Sequence, residues 1–271
     1  MLTLRGRGRC RRMTEIPAYR RLSGPAYHGG FVERYHRLRP RPPEALFEML
    51  VSLAPSRPIE LVVDLGAGTG ISTVPWASRA TRVIGIEINP QMTGLAAATA
   101  NVEYRTANAE ATGLRDASAD IVTCAQSFHW MDRDQTLVEI SRILRRGGVF
   151  AAYDYDWPPL IDWEVDAAFR RLIEASGVDP RRPEKTDHLI RMTENGSFGA
   201  VRETFLHARQ VAPADLIAEL PLAFGPIARL VQDGATAGEL GLSAFQETVK
   251  RRLSADSNVL WWTYRLGLAQ K

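Results

Sequence analysis

Between residues 60 and 156, short apolar runs alternate with amphipathic stretches. ELVVDL (60–65) is an almost continuous apolar run, the pattern of a strand buried on both faces. RVIGIE (82–87), VEYRT (102–106), ADIVTCAQ (119–126) and VFAAYDY (149–155) predict four further strands. STVPWASRA (72–80) predicts a short helix, with Pro75 in the first turn where a missing N–H is tolerated. NPQMTGLAAATA (89–100) predicts a helix capped by Asn89, with Pro90 at its first position. RDQTLVEISRILRRGG (133–148) predicts a helix with apolar spacing at Leu137, Ile140 and Leu144, stopped by Gly147 and Gly148. This alternation implies right-handed crossovers and a parallel, doubly wound α/β sheet. Ligands of such sheets bind outside the carboxyl ends of the strands, so Asp64, Glu87, Asn108, Gln126 and Tyr153 are expected on one rim. Farther on, 161–176, 213–224 and 237–253 look helical, while 200–210 and 258–269 look like strands.

The first strand breaks into VVDLGAGTGIST (62–73), with Gly66, Gly68 and Gly70 spaced two apart. Glycines placed so after a strand let backbone approach a nucleotide-like ligand. Glu87 follows Gly66 by 21 residues, at the end of the next strand, where an acid can accept both hydroxyls of a ribose. Two features argue against a dinucleotide. The spacing is GxGxG, with Ser72 and Thr73 where a third glycine would let helix and strand pack closely. Asp64 at the mouth of the loop would repel a pyrophosphate, since two charges ~4 Å apart interact by several kcal/mol at intermediate dielectric. An adenosine ligand carrying positive charge and no phosphate fits both.

Composition adds limits. The 271 residues are 45% apolar and 24% charged, which suits a folded α/β domain with a sizeable core. No apolar run approaches the ~18–20 residues of a membrane span, so no membrane association is expected. The net charge of +3 comes from the tail: residues 1–12 hold five arginines, and without them Lys+Arg falls from 34 to 29 against 31 acids. A disordered tail over 1–13 is expected, with Met13 a possible start, and no nucleic-acid partner. Cys10 and Cys124 are the two cysteines; no CxxC or Cys/His cluster suggests a metal site, and the usage points to a reducing, cytoplasmic setting.

Taken together, the motifs resemble those of class I S-adenosylmethionine-dependent methyltransferases. VVDLGAGTG resembles the family's first motif, VIGIEINPQM the segment ending in the ribose-binding acid, YRTANAEATGLRDASADIVTCAQSFHWMD the next two, and ILRRGGVFAAYDYD the one after. The phrase AQSFHWMD is most similar to the small-molecule branch labelled methyltransferase type 11, with its trans-aconitate-methyltransferase-like members. The resemblance is continuous over about residues 27–156. It implies a Rossmann-like seven-stranded sheet with the last strand antiparallel, and helical lid segments at 14–59, 156–198 and 212–257. The chain would then divide into the tail (1–13), an N-terminal lid (14–59), a cofactor-binding half (60–156) and a substrate side (157–271).

The resemblance also implies roles by position. Gly66 and Gly68 would bring backbone to the methionine part of S-adenosylmethionine, and Asp64 would sit near its ammonium, directly or through water. Glu87 would hold the ribose, Ile88 the adenine face, and Asn108 and Ala109 the adenine edge. The family often has Asp at position 108; Asn can still accept through its carbonyl and adds a donor. Gln126 would lie near the methionine tail, and Tyr35 and Arg39 match a segment folding over the cofactor, with Arg39 near its carboxylate. The implied activity is methyl transfer to a small molecule, at an unspecified O, N or C atom; a cyclase or decarboxylase on the same scaffold is the alternative.

His129 in SFHWMD is the candidate general base, and it is equally readable as a hydrogen-bonded structural histidine. His28 and His36 lie near the expected lid. Tyr153, Tyr155 and Trp157 are either pocket lining or core, and Trp261 and Trp262 read as packing residues.

Overall fold

A computed structural model describes residues 30–97, 99–177 and 187–271. The tail at 1–13 with Cys10, His28, and the first part of the expected lid at 14–59 lie outside the described residues.

Two helices, α1 (Gly30–Leu38) and α2 (Glu44–Leu53), lead into β1 (Ile59–Leu65). Next come β2 (Ala80–Glu87), the four-residue α3 (Pro90–Thr93), β3 (Val102–Thr106), β4 (Ala119–Ala125), α4 (Arg133–Ile143) and β5 (Leu144–Tyr155). The remainder is α5 (Trp163–Ala175), α6 (His188–Asn195), β6 (Ala200–Ala212), α7 (Ala214–Glu219), α8 (Gly225–Gln232), α9 (Leu242–Arg252) and β7 (Asn258–Gln270).

All seven strands form one sheet in the order β3-β2-β1-β4-β5-β7-β6. The first five are mutually parallel, and β7 runs antiparallel to both β5 and β6, so the expected last antiparallel strand is present. Strand order reverses between β1 and β4, which opens a crevice at their carboxyl ends. Successive residues of the central strands point to opposite faces and both faces are covered. Val62 joins a core with α2, α5 and α9, while Val63 joins one with α4 and Met192 of α6.

Three predicted helices are shorter than their patterns suggest. Residues 72–80 hold only a 3₁₀ turn, Val74–Ser78, because Ser72 and Thr73 turn their hydroxyls to Asp64 and β2 begins at Ala80. The helix expected over 89–100 is α3 alone: Asn89 caps it as predicted, but Gly94 ends it. The helix expected over 133–148 stops at Ile143, and Leu144 enters β5 opposite Ala119. Arg145 supports that switch with a 2.9 Å ion pair to the fully buried Asp120. Trp262 is core as expected, whereas Trp261 points outward and is 48% exposed, because the strand alternates faces.

Candidate functional site

At the switch point the chain turns sharply after β1. Gly66, Gly68 and Gly70 all have positive φ (+73°, +55° and +79°), a region that L side chains rarely adopt. A Cβ on Gly66 would stand 2.4 Å from Cβ of Ser127, whose hydroxyl donates to the Leu65 carbonyl at 2.7 Å. The turn after β1 and the turn after β4 are thus in contact across the crevice.

Asp64 organises this turn from below. Its carboxylate accepts hydrogen bonds from Ser72 and Thr73 at 2.7 Å each and from Thr123 at 2.8 Å. Complete burial raises its pKa, and the three hydroxyls oppose that rise. It does not line the cleft.

Glu87 holds the same turn from the side. Its carboxylate accepts from the backbone N–H of Gly68 (2.8 Å) and of Asn89 (2.9 Å), one on each oxygen. The Ile88 N–H also faces this carboxylate, which still keeps acceptor capacity for a ligand. Burial raises its pKa, against the pull of these backbone donors.

Glu87 lines a cleft with about 940 Å³ of open space, together with Tyr35, Gly66, Gly68, Ile88, Asn108, Ala109 and Gln126. Met92, Trp130 and Met131 complete its apolar wall. Among the described lining residues the ionisable carboxyl groups are Glu87 and Glu110, and there is no lysine, arginine or histidine. Gln126 adopts the left-handed conformation at φ +57°, a strained position for a residue with a side chain.

Gln126, Tyr35, Gly66 and Gly68 also line an adjoining side chamber of about 440 Å³. Arg39 borders it, with its guanidinium 4.4 Å from the Tyr35 ring centre and a 2.5 Å hydrogen bond to the Tyr155 hydroxyl. Tyr153, Tyr264 and Thr69 line the chamber too. The Tyr264 hydroxyl donates to the Arg41 carbonyl at 3.0 Å. By contrast the Tyr153 hydroxyl and Thr69 Oγ1 are buried with no hydrogen-bond partner among the described residues. Burial pushes the Tyr153 hydroxyl well above the usual phenol range. Of the aromatics at and just past the end of β5, Tyr153 and Tyr155 line the chamber, while Trp157 packs against Phe169, Phe224 and Trp262.

His129 lines neither space. Its side chain is 4% exposed, and Nδ1 lies 3.4 Å from Asp154 of β5. The other Asp154 oxygen lies 2.9 Å from Nε2 of His188, the first residue of α6. A buried His–Asp–His group therefore ties the turn after β4, strand β5 and helix α6 together. His36, on α1, has its pKa lowered by burial and by the nearby charge of Arg41.

The structure thus gathers Tyr35, Gly66, Gly68, Glu87, Ile88, Asn108, Ala109 and Gln126 on one cleft and puts Arg39 beside it. Asp64 and His129 stand behind it. Met92, Trp130, Thr69, Asp154 and His188 escape the sequence reading. Trp130 had a usable signal, being next to His129 in the same phrase. His188 had none, since Asp154 is 34 residues away.

Residues 63–152 match the family model of the methyltransferase domain. An uncharacterized methyltransferase of Mycobacterium tuberculosis is 38% identical over 122 residues, covering 44% of this chain and 48% of that protein. A Saccharomyces cerevisiae protein, provisionally named an S-adenosylmethionine-dependent methyltransferase, is 29% identical over 48% of this chain and 47% of its own length. The matches span about half the length of these curated relatives. A solved structure of a provisionally assigned type II methyltransferase from Anaeromyxobacter dehalogenans superposes with a TM-score of 0.68 at 26% identity, covering 86% of this chain and 97% of that one. No described helix is long and apolar enough to cross a membrane.

Proposed function

We propose that this chain, which carries the methyltransferase domain at residues 63–152, binds S-adenosylmethionine in the cleft and passes its methyl group to a small-molecule acceptor. The observation that supports this best is the charge of the cleft. Its described lining offers two carboxylates and no cation, which suits an adenosine ligand with a positive centre and no phosphate. Glu87, held by backbone N–H groups, keeps acceptor capacity for the ribose hydroxyls. Ile88, Met92, Asn108 and Ala109 form the surface for the adenine. The side chamber, with Arg39 and the unpartnered Tyr153 and Thr69 hydroxyls, suits the charged amino-acid end of the same molecule. Asp64 acts by holding Ser72, Thr73 and Thr123, and so the shape of the turn.

S-adenosylmethionine, when bound, would supply an electrophilic methyl carbon on sulfur: an electron pair of the acceptor would form the new bond, the carbon–sulfur pair would stay on sulfur as S-adenosylhomocysteine, and the acceptor's proton would leave to solvent. The residues contribute orientation of the two reactants and exclusion of water. His129 stands one residue before the cleft-lining Trp130, with its Nδ1 3.4 Å from Asp154. In this reading it positions the cleft wall, and a direct proton-accepting role requires an acceptor that reaches behind Trp130.

The test is to incubate the protein with methyl-labelled S-adenosylmethionine and a small-molecule extract. Label appearing in a new small molecule, with equal S-adenosylhomocysteine, is the expected result. Conversion of an extract component without S-adenosylhomocysteine would favour the cyclase or decarboxylase alternative and refute methyl transfer.

A further inference from the structure

Strand β6 ends the sheet, and among the described residues no strand pairs with its outer edge. It is 13 residues long and pairs with β7 from Ala200 to Ala212 in unbroken register. It contains no proline, glycine or lysine. Proteins normally blunt long edges with prolines, charged side chains or bulges, because unpaired N–H and C=O groups recruit another strand; the charges of β6, Arg202, Glu203 and Arg209, are of both signs.

The sheet face beside this edge is also only partly covered. Phe205, Val211 and Trp261 are 46%, 48% and 48% exposed. All three share one face, since Trp261 lies opposite Arg209, two residues from Val211. Trp261 also bridges to Leu160, which is exposed as well. On the opposite face, Leu206 and Ala208 pack against the core beneath α5, α7 and α9.

We propose that β6 is the interface of a two-fold homodimer, with β6 of a second copy pairing antiparallel to it about a dyad at Leu206. The strand is self-complementary about that residue. Centred there, Val201 stands opposite Val211 of the second copy, Glu203 opposite Arg209, and Phe205 opposite His207, each twice by symmetry. Opposite charges directly across a strand pair stabilise it, and like charges destabilise it. Arg209 has no ion-pair partner among the described residues. Glu203 has a single 3.4 Å contact with Arg265 and keeps acceptor capacity.

Other registers fare worse. A slip of one residue sets Arg202 against Arg209 and turns the exposed face of one copy towards the lid side of the other. The Leu206 dyad instead pairs the whole length of both strands and keeps the two exposed faces on one side. Phe205, Val211 and Trp261 of both copies then lie on one face, interspersed with the Glu203–Arg209 pairs.

Sedimentation velocity on the full chain tests this. At about 10 μM, the range typical of weak-to-moderate homodimers, the chain is expected to sediment as a dimer. Arg209→Glu sets two glutamates opposite each other and is expected to raise the dissociation constant at least about tenfold. The double variant Glu203→Arg/Arg209→Glu restores the pairing and is expected to return to within about threefold of the original. Residues directly opposed in an antiparallel pair have Cα atoms about 4.5–5.5 Å apart, so Leu206→Cys is expected to cross-link under mild oxidation. Ala208→Cys, which this register places opposite Thr204, is not. A monomer up to about 100 μM overturns the proposal. So does a dimer that Arg209→Glu leaves intact, or one that cross-links at position 208 and not at 206.

Discussion

Tyr153→Phe is expected to make the ligand-free protein more stable and the cofactor complex weaker. Tyr153 is 1% exposed and lines the side chamber, and its hydroxyl has no partner among the described residues. A buried unsatisfied hydroxyl costs roughly 1–3 kcal/mol, so its removal without a ligand returns a share of that. For a chain of this size each kcal/mol moves the melting temperature by roughly 2–4 °C, which predicts a rise of a few degrees. The amino-acid end of S-adenosylmethionine is charged, and a hydrogen bond to a charged group contributes roughly 1.5–3 kcal/mol. Losing it should weaken binding by about tenfold or more. Tyr264→Phe is the matched control, because Tyr264 lines the same chamber but its hydroxyl is already bonded to the Arg41 carbonyl at 3.0 Å. It is expected to lower the melting temperature and leave affinity unchanged. Calorimetric unfolding and titration of both variants decide the matter. A Tyr153→Phe protein that melts lower and binds as before would refute the reasoning.

Three other perturbations separate the parts of the site. Glu87 has a raised pKa through burial, so it begins to protonate above its ordinary value of 4.5. Cofactor affinity should therefore fall as pH is lowered, starting above that value, and Glu87→Gln should bind roughly ten- to a hundredfold more weakly with a flatter pH profile; an unchanged dissociation constant would remove Glu87 from the ribose. Gly66→Ala places a Cβ 2.4 Å from Ser127 at φ +73° and should abolish cofactor binding, whereas Gly113→Ala, at φ +69° with open space around it, should bind normally; equal behaviour of the two would show that strain, not the close approach, matters. His129→Ala leaves Asp154 with one imidazole fewer and should cost about 2–4 kcal/mol of stability while cofactor affinity stays within about threefold. A tenfold weaker complex would instead bring His129 to the ligand.

The central strands were legible because a strand buried on both faces writes a nearly continuous apolar run, as in β1 and β4. The rim followed from their order, since the ends of β1, β2 and β4 must meet at the switch point. Helix ends were less legible. Leu144 continues the apolar spacing of α4, yet its burial opposite Ala119 and the Arg145–Asp120 ion pair place it in β5. Tertiary packing there overrides local periodicity. Asp64 shows a different limit: its charge could be read from the sequence, but not that three hydroxyls already surround it. The partner of His129 was hidden for a simpler reason. Asp154 and His188 come from a strand end and a distant helix, and no local spacing joins them.

Calorimetric titration of the protein with S-adenosylmethionine, S-adenosylhomocysteine and NADH tests the central claim most directly. The two carboxylates and absence of a cation in the described cleft lining, with the acceptor capacity of Glu87, predict micromolar binding of the first two and none of the third. Binding of NADH, with no heat from the sulfur ligands, would mean that the cleft accepts a pyrophosphate despite its charge, and the methyl-transfer reading would fall with it.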